Sequence, residues 1–201
     1  MTPREQHPTP SKDDIALLEP FERLGLDRIS LVSTAAQARE ACAALIEHTV
    51  WGFDTESKPT FFKDQVSDGP HIVQLATQQR AWVFQLHEPD CRAQVAALLA
   101  HGGHIKAGFG LGDDTRRIIT KMGVVPEGVL ELNAVFRERG YRKDMGVKGA
   151  IAVLFNQRFA KSKKAGTSNW ANQRLTEAQL LYAGNDAYGA IRVYHALGLG
   201  T

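Results

Sequence analysis

The sequence from residue 50 to residue 56 reads Val50-Trp51-Gly52-Phe53-Asp54-Thr55-Glu56, an apolar and β-prone run that ends in two acidic residues. Side chains alternate between the two faces of a strand, so Asp54 and Glu56 point to the same face. Two carboxylates in that position can share a hard divalent cation, since Mg²⁺ takes oxygen ligands. Two acids at this spacing also arise by chance in a chain of this composition, and a purely structural role stays open at this point.

Helix and strand patterns alternate on both sides of this segment. Thr34 and Gln37 have the spacing of a capping box, and residues 77–80 are short enough for a hairpin turn. We predict strands at 50–55, 71–77, 80–86, 104–109 and 129–132, and helices at 34–48, 89–100, 113–122, around 147–155 and from 176 to about 197. The pattern predicts an α/β domain with a mixed five-stranded sheet flanked by helices.

A second pair of acids, Asp113 and Asp114, follows the glycine-rich stretch 108–112. An aspartate in the first turn of a helix satisfies free amides and the helix dipole, so helix capping is the simpler interpretation. Metal binding is the alternative, and the two roles can coexist. A phosphate-binding loop is disfavoured because two aspartates repel phosphate unless a cation intervenes.

The last predicted helix carries Tyr182 and Asp186, which are four residues apart and therefore lie on one face. A phenol and a carboxylate one turn apart can reach a common water or metal ion. The structural alternative makes Tyr182 a half-buried aromatic and Asp186 a solvated charge. The spacing alone does not decide between the two.

The order of these acids along the chain resembles the DEDD superfamily of 3′-5′ exonucleases, in the branch with a tyrosine in its third motif. Asp54 and Glu56 match the first motif, Asp114 the second, and Tyr182 with Asp186 the third. The likeness covers roughly three quarters of the chain. It extends to the exonuclease domain of the Werner-syndrome helicase and to the ribonuclease D catalytic domain, and it implies a ribonuclease-H-like fold.

Two details of the motifs refine this resemblance. Relatives in the histidine branch have their histidine five residues before the last aspartate, where this chain has Leu181. The glycine spacing of the second motif selects Asp114 rather than Asp113, which leaves Asp113 as a helix cap.

The resemblance implies that phosphodiester bonds are hydrolysed from a free 3′ end by a two-metal-ion mechanism. Asp54, Glu56 and Asp186 would hold one Mg²⁺ or Mn²⁺ ion, and Asp54 with Asp114 would help to hold a second. Paired cations stabilise both the attacking and the leaving oxygen. Tyr182 would position the attacking water, because a phenol with a pKa of about 10 is a poor base near neutrality.

Three interpretations of the substrate follow from the resemblance. A single-stranded or 3′-recessed nucleic acid is expected, with DNA slightly favoured. The first alternative is an exoribonuclease similar to ribonuclease D that trims RNA 3′ ends. The second is an inactive nucleic-acid-binding module, which the presence of all four acids and the tyrosine disfavours.

Positive charge is concentrated in the segment from Arg137 to Arg174, which has ten basic and two acidic residues, whereas the whole chain has a net charge of +2. Such a segment can contact phosphates without reading bases. The tentative nucleic-acid contacts lie in a predicted loop and are Lys161, Lys163 and Lys164; a solvated face is the alternative. Core packing is favoured over base stacking for Phe61, Phe62 and Trp170.

The composition sets the remaining expectations. A chain of 201 residues with 43% hydrophobic content can bury one sizeable core, and two cysteines exclude a disulfide scaffold. Residues 1–20 are rich in proline and charge and are expected to be a flexible arm, followed by a single domain over residues 21–201. The sequence has neither the apolar stretch of a signal peptide nor that of a membrane span. We therefore expect a soluble, cytoplasmic protein without a membrane partner.

Overall fold

The computed structural model describes residues 6–60 and 67–200 of the chain. In these ranges lie six strands, β1 (Ile29–Val32), β2 (Val50–Glu56), β3 (Ile72–Ala76), β4 (Ala81–Gln85), β5 (Ile105–Gly108) and β6 (Val129–Glu131). The same ranges contain eight α-helices, α1 (Lys12–Ala16), α2 (Ala35–Ile46), α3 (Pro89–Leu99), α4 (Leu111–Met122), α5 (Leu132–Glu138), α6 (Gly146–Phe155), α7 (Lys163–Gly166) and α8 (Glu177–Ala196). A 3₁₀ turn, Leu26–Arg28, precedes β1.

The strands form one mixed sheet in the order β1-β4-β3-β2-β5-β6. Strand β3 is antiparallel to β2 and β4, whereas β5 is parallel to β2 and β6, and β1 is parallel to β4. The predicted hairpin is confirmed, because the Thr77 amide donates to the Arg80 carbonyl at 2.9 Å. The predicted α/β class and mixed sheet are confirmed as well.

The prediction of five strands is wrong, because the described part of the chain has a sixth, β1, at one edge of the sheet. Four residues are too few to display the alternation by which strands are recognised in a sequence. Strand β1 is held by its parallel pairing with β4, from Ile29 opposite Ala81 to Val32 opposite Phe84. Its partner is distant in the sequence, and no local pattern marks it.

Helix caps are more predictable here than the number of strands. At Thr176 both halves of the capping box form: its hydroxyl accepts the Gln179 amide at 3.2 Å and its amide donates to the Gln179 side chain at 3.0 Å. At Thr34 only one half forms, because the Gln37 side chain accepts the amide of Ser33 instead. Helix α8 therefore begins where the sequence predicts.

The sheet separates two apolar layers. Helices α2, α3 and α4 cover one face, on which Trp51 and Phe53 of β2 are fully buried. Helices α5, α6 and α8 cover the other face. Because neighbouring residues of a strand point to opposite faces, Gly52, Asp54 and Glu56 face the layer that contains α8.

Strand β2 and helix α8 lie unusually close together at Gly52. A Cβ atom on Gly52 would lie only 1.8 Å from the carbonyl oxygen of Ala187 and 2.9 Å from the amide of Ile191. Any side chain here would push the helix off the sheet. The glycine therefore sets the distance between the strand that carries two acids and the helix that carries the third.

Residues 7–21, before the 3₁₀ turn, are hydrogen-bonded to the rest of the domain at both of their ends. The His7 amide donates to the Gly140 carbonyl at 3.2 Å, and the Phe21 amide donates to the Arg158 carbonyl at 3.0 Å. Between these points the chain forms the short helix α1. A flexible arm over residues 1–20 followed by a single domain stays a prediction.

None of the helices in residues 6–60 and 67–200 has the length and apolar character needed to cross a bilayer.

Candidate active site

Three carboxylates meet between β2 and α8. One oxygen atom from each of Asp54, Glu56 and Asp186 lies within 4.8 Å of the other two. Alternation along β2 turns Asp54 and Glu56 to one face, and the contact of Gly52 with Ala187 brings the neighbouring Asp186 to them. The structure therefore brings together three of the four acids that the sequence selects.

The charges of these carboxylates oppose one another in a buried site. Burial, together with Asp186, raises the pKa of Asp54 well above its usual value. Burial, with Asp54 next, raises the pKa of Glu56 to about 9. Asp186 is only 4% exposed, and burial raises its pKa to about 6 although the Lys161 ammonium opposes the rise. Positive charge is needed before all three can ionise together.

Lys161 supplies one such charge. Its Nζ lies 2.6 Å from Asp186 Oδ2 and 4.8 Å from the ring centroid of Tyr182. Burial disfavours the ammonium, but Asp186 and Asp54 outweigh burial and hold the pKa of Lys161 above its usual value. The sequence predicts Lys161 among surface phosphate contacts, whereas in the structure it is half-buried beside the acids.

Lys163 and Lys164 are exposed, and the predicted loop around them is wrong in detail. They are the first two residues of helix α7, which is a single turn. The Ser162 hydroxyl caps this turn by accepting a hydrogen bond from the Ala165 amide at 3.2 Å. A turn this short shows no hydrophobic period in the sequence, which is why a loop is predicted. Binding of phosphate by these lysines stays a prediction.

Asp114 lies at the edge of the acid cluster and is held by its neighbour on β2. Asp114 is not part of the group that Asp54, Glu56 and Asp186 form among the described residues. The Thr55 hydroxyl donates to Asp114 Oδ1, and the negative charge of Asp114 contributes to the raised pKa of Asp54. A role for Asp114 in a second metal site stays a prediction.

Asp113 is exposed and pairs with Arg116. The choice of Asp114 for the second motif stays a prediction. The expected capping role of Asp113 is not what the structure shows, because α4 begins two residues earlier, at Leu111. The Leu111 amide donates instead to Glu131 Oε2 at 2.8 Å.

Tyr182 is half-buried beside Asp186. Its ring lies 5.8 Å from that of Trp170, and its hydroxyl would be only 2.6 Å from a Cβ atom on Gly166. Burial, with Asp186 next, raises the pKa of Tyr182 above its usual value. The phenol therefore keeps its proton at neutral pH and can act only as a hydrogen-bonding group.

Packing is the role of Trp170, as the sequence favours. Its side chain is 1% exposed and its indole N–H donates to the Gly166 carbonyl at 3.3 Å. Phe61 and Phe62 lie outside the described residues.

Sequence reasoning misses two residues that position the site. Thr55 orients Asp114, as described above. Asn185 accepts the Leu24 amide at 2.8 Å and donates to the Leu24 carbonyl at 3.1 Å, which fixes α8 at the residue before Asp186. The available signal is a second polar residue directly before Asp186 in a helix rich in alanine, and in the structure this asparagine is 1% exposed.

The acid cluster fits a divalent cation. Among the described residues the buried Oδ1 of Asp186 has no hydrogen-bond partner within bonding distance, which leaves an acceptor that a cation could satisfy. Carboxylate oxygens are the ligands that Mg²⁺ and Mn²⁺ prefer. Asp54, Glu56 and Asp186 are the residues that would hold the ion.

Comparison with known proteins places this geometry in a family. A family model described as 3′-5′ exonuclease matches residues 29–200. The chain is 28% identical over 156 residues, 77% of its length, to the mouse (Mus musculus) bifunctional 3′-5′ exonuclease/ATP-dependent helicase WRN, of which this match covers 11%.

Solved structures show the same fold at lower identity. The Nibbler EXO domain of Aedes aegypti matches 89% of this chain and 90% of its own length, with a TM-score of 0.74 and 20% identity. Ribonuclease D of Trypanosoma brucei in complex with RNA U12 matches 86% of this chain and 63% of its own length, with a TM-score of 0.75 and 19% identity. The chain therefore has the ribonuclease-H-like fold that the sequence predicts.

Proposed function

Since the chain belongs to the 3′-5′ exonuclease family, we propose that it removes nucleotides one at a time from the 3′ end of a nucleic acid. The observation that carries this proposal is the meeting of Asp54, Glu56 and Asp186 with their oxygens within 4.8 Å of one another. A cluster of three carboxylates without a cation would repel a phosphodiester. The chemistry is therefore a metal-dependent hydrolysis.

Each of the acids has a place in this reaction. Asp54, Glu56 and Asp186 would hold one Mg²⁺ or Mn²⁺ ion, and Asp114 with Asp54 would help to hold a second. When bound, such ions lower the pKa of water and neutralise charge that develops on the phosphate.

Two side chains beside the acids would contact the attacking water and the phosphate. Tyr182, which keeps its proton, orients the attacking water through a hydrogen bond. Lys161, already 2.6 Å from Asp186, offers its ammonium to the phosphate.

The substrate can be DNA or RNA, which differ in their sugar. The sequence slightly favours DNA, and the entering strand is single or 3′-recessed. RNA is the second candidate, because the similar ribonuclease D of Trypanosoma brucei was solved with RNA U12. An inactive binding module is disfavoured by the complete set of acids.

The test compares three end-labelled substrates of one sequence: single-stranded DNA, recessed duplex DNA and single-stranded RNA. In Mg²⁺ or Mn²⁺ the protein is expected to produce a ladder that shortens from the 3′ end. Chelator abolishes the ladder, and Asp54→Ala lowers the rate by at least about a hundredfold, because it removes a metal ligand.

Asp113→Asn is the matched control, since Asp113 is exposed and lies next to the second-motif acid. It is expected to keep nearly the full rate. Cleavage that survives chelator, or internal cuts in a linear strand, would contradict the proposal. The relative rates on DNA and RNA identify the preferred sugar.

A further inference from the structure

A groove lies between the N-terminal segment and helix α6. The segment is anchored at His7, whose ring also packs 5.2 Å from that of Tyr141, and again at residues 19–21, which bond to Arg158. Between the anchors, α1 and the residues before it form one wall of a cavity of about 700 Å³. Residues 6–28, which form this wall, precede the region that the family model matches.

The groove is strongly positive. Five basic side chains line it, and they are Lys12, Lys143, Lys148, Arg158 and Lys161. Asp144, the acidic residue among its lining, is already paired with Arg137. Apolar surface comes from Ile15, Met145 and Phe159. Cationic and apolar groups in one channel are the combination that binds a single strand, whose phosphates and bases face different sides.

The groove adjoins the end of the acid cluster that carries Asp186. Phe159, Ala160 and Lys161 line both the groove and a smaller cavity of about 180 Å³ that contains Tyr182 and Asp186. A strand whose 3′ end lies at the acids therefore has a positively charged path away from them.

We propose that this groove binds the sugar-phosphate backbone of a single nucleic-acid strand, upstream of the 3′ end that is hydrolysed. This inference rests on the proposed exonuclease function. A cavity of this volume has the size of pockets that enclose ligands of a few hundred daltons, so it takes a short stretch of single strand and not a duplex. Lys143 and Arg158 hold phosphates at a distance from the acids, and Lys12 contacts them from the N-terminal wall.

The decisive variant is Lys143→Gln/Arg158→Gln, which removes two charges from the groove and leaves Lys148 and Lys161 in place. Its matched control is Arg39→Gln/Arg80→Gln, which removes two exposed charges from α2 and the β3–β4 turn. Binding of a single strand of about twelve nucleotides is measured by fluorescence anisotropy, with Asp54→Ala added to every protein to stop hydrolysis. Hydrolysis of a dinucleotide is measured without that substitution.

We expect the groove variant to bind the long strand about tenfold more weakly at low salt, and its salt dependence to be shallower by about 1.4 in log–log slope. Lys12→Gln is also expected to weaken binding of the long strand. Dinucleotide hydrolysis stays at the rate of the unmodified protein, because a dinucleotide reaches only the acid cluster. The control pair binds the long strand as the unmodified protein does.

Two results would overturn the groove while leaving the exonuclease function intact. One is equal binding of the long strand by the groove variant and the control pair. The other is an equal loss on the dinucleotide and the long strand, which would place the effect at the acids. An unmodified protein that hydrolyses neither the dinucleotide nor the end-labelled strands of the first experiment would instead refute the exonuclease function itself.

Discussion

Tyr182 shows how one residue is restricted to a single chemical role. Burial and the neighbouring Asp186 raise its pKa, so it does not accept the proton of the attacking water at neutral pH. The close approach of Gly166 and the ring of Trp170 fix where its hydroxyl lies. A fixed, protonated phenol positions water, and its loss should slow turnover without loosening the metal site.

Tyr182→Phe is therefore expected to lower kcat by roughly ten- to a thousandfold, equivalent to a few kcal/mol or less. The affinity for Mn²⁺, measured by isothermal titration calorimetry, is expected to stay within about twofold of the unmodified value, because carboxylates hold the ion. A large loss of affinity would mean that the phenol is a ligand.

Tyr194→Phe is the matched control on the same helix. Tyr194 donates to the Leu199 carbonyl at 2.9 Å, away from the acids. Its removal is expected to lower the free energy of unfolding by about 1 kcal/mol and to leave kcat unchanged.

For single residues, the sequence predicts the acids of the site but not the side chains that contact them. Asp54, Glu56, Asp114 and Asp186 stand in recognisable motifs, and their residue types reveal their chemistry. The ion pair of Lys161 with Asp186 has no sequence signature, because the two residues are distant in the chain and meet only through the fold.

Among the elements, β2 and α8 together determine the site. The three grouped acids lie on these two elements, and the distance between the elements is set at Gly52. The Cβ of an alanine there would overlap the Ala187 carbonyl, which is backbone and cannot rotate away. Relief requires α8 to move, and Asp186 moves with it.

Gly52→Ala is therefore expected to lower the free energy of unfolding by about 1–3 kcal/mol, as overpacked cores do, and to weaken Mn²⁺ binding. Urea unfolding and calorimetry measure the two effects. Gly112→Ala is the control, since Gly112 lies in helix α4 and, apart from its chain neighbours and the backbone of its own helix, no described atom lies within 4 Å of a Cβ atom added to it. It should be neutral or slightly stabilising, because alanine favours a helix. Wild-type stability and Mn²⁺ affinity in Gly52→Ala would show that the helix is not held by this contact.

Elements are predictable where they are long and periodic. The capping box at Thr176 and the hairpin at residues 77–80 are found because their signals are local. Strand β1 and helix α7 span four residues each, too few to show a period, and depend on partners elsewhere in the chain. The predicted start of α4 is misplaced because Glu131, distant in the sequence, provides the interaction at its first amide.

In the molecule as a whole, the acid cluster opposes the folding that creates it. Asp54 and Asp186 are about 130 residues apart, and only the folded chain brings their charges together in a buried site. In the unfolded chain each carboxyl ionises near its ordinary pKa. The folded protein holds protons that the unfolded chain releases, so without metal the free energy of unfolding must fall as pH rises.

The range of pH follows from the shifted groups. The pKa of Glu56 rises from an ordinary 4.5 to about 9, and that of Asp186 from 3.8 to about 6. A raised folded-state pKa gives stability that is complete below the unfolded value and is lost as pH rises through the folded value. The metal-free protein should therefore lose stability between about pH 4 and pH 9.

A divalent cation is expected to reverse this loss, since it binds the ionised carboxylates of the folded state alone. At a hundred times its Kd it should add about 2.7 kcal/mol, and a fixed concentration of the cation should stabilise the protein more at pH 8 than at pH 6, because more of the carboxylates are ionised at pH 8. Glu56→Gln in chelator should raise the free energy of unfolding at pH 8 by about 1–3 kcal/mol, because glutamine is neutral without having to hold a proton at that pH, and it should abolish hydrolysis, because it removes a charged ligand. Urea unfolding with chelator or Mn²⁺ at the two pH values measures these changes, with the exposed Glu40→Gln on α2 as the control. If metal-free stability instead rose with pH, or if Mn²⁺ stabilised Glu56→Gln as strongly as the unmodified protein, the carboxylates would not form the cation site.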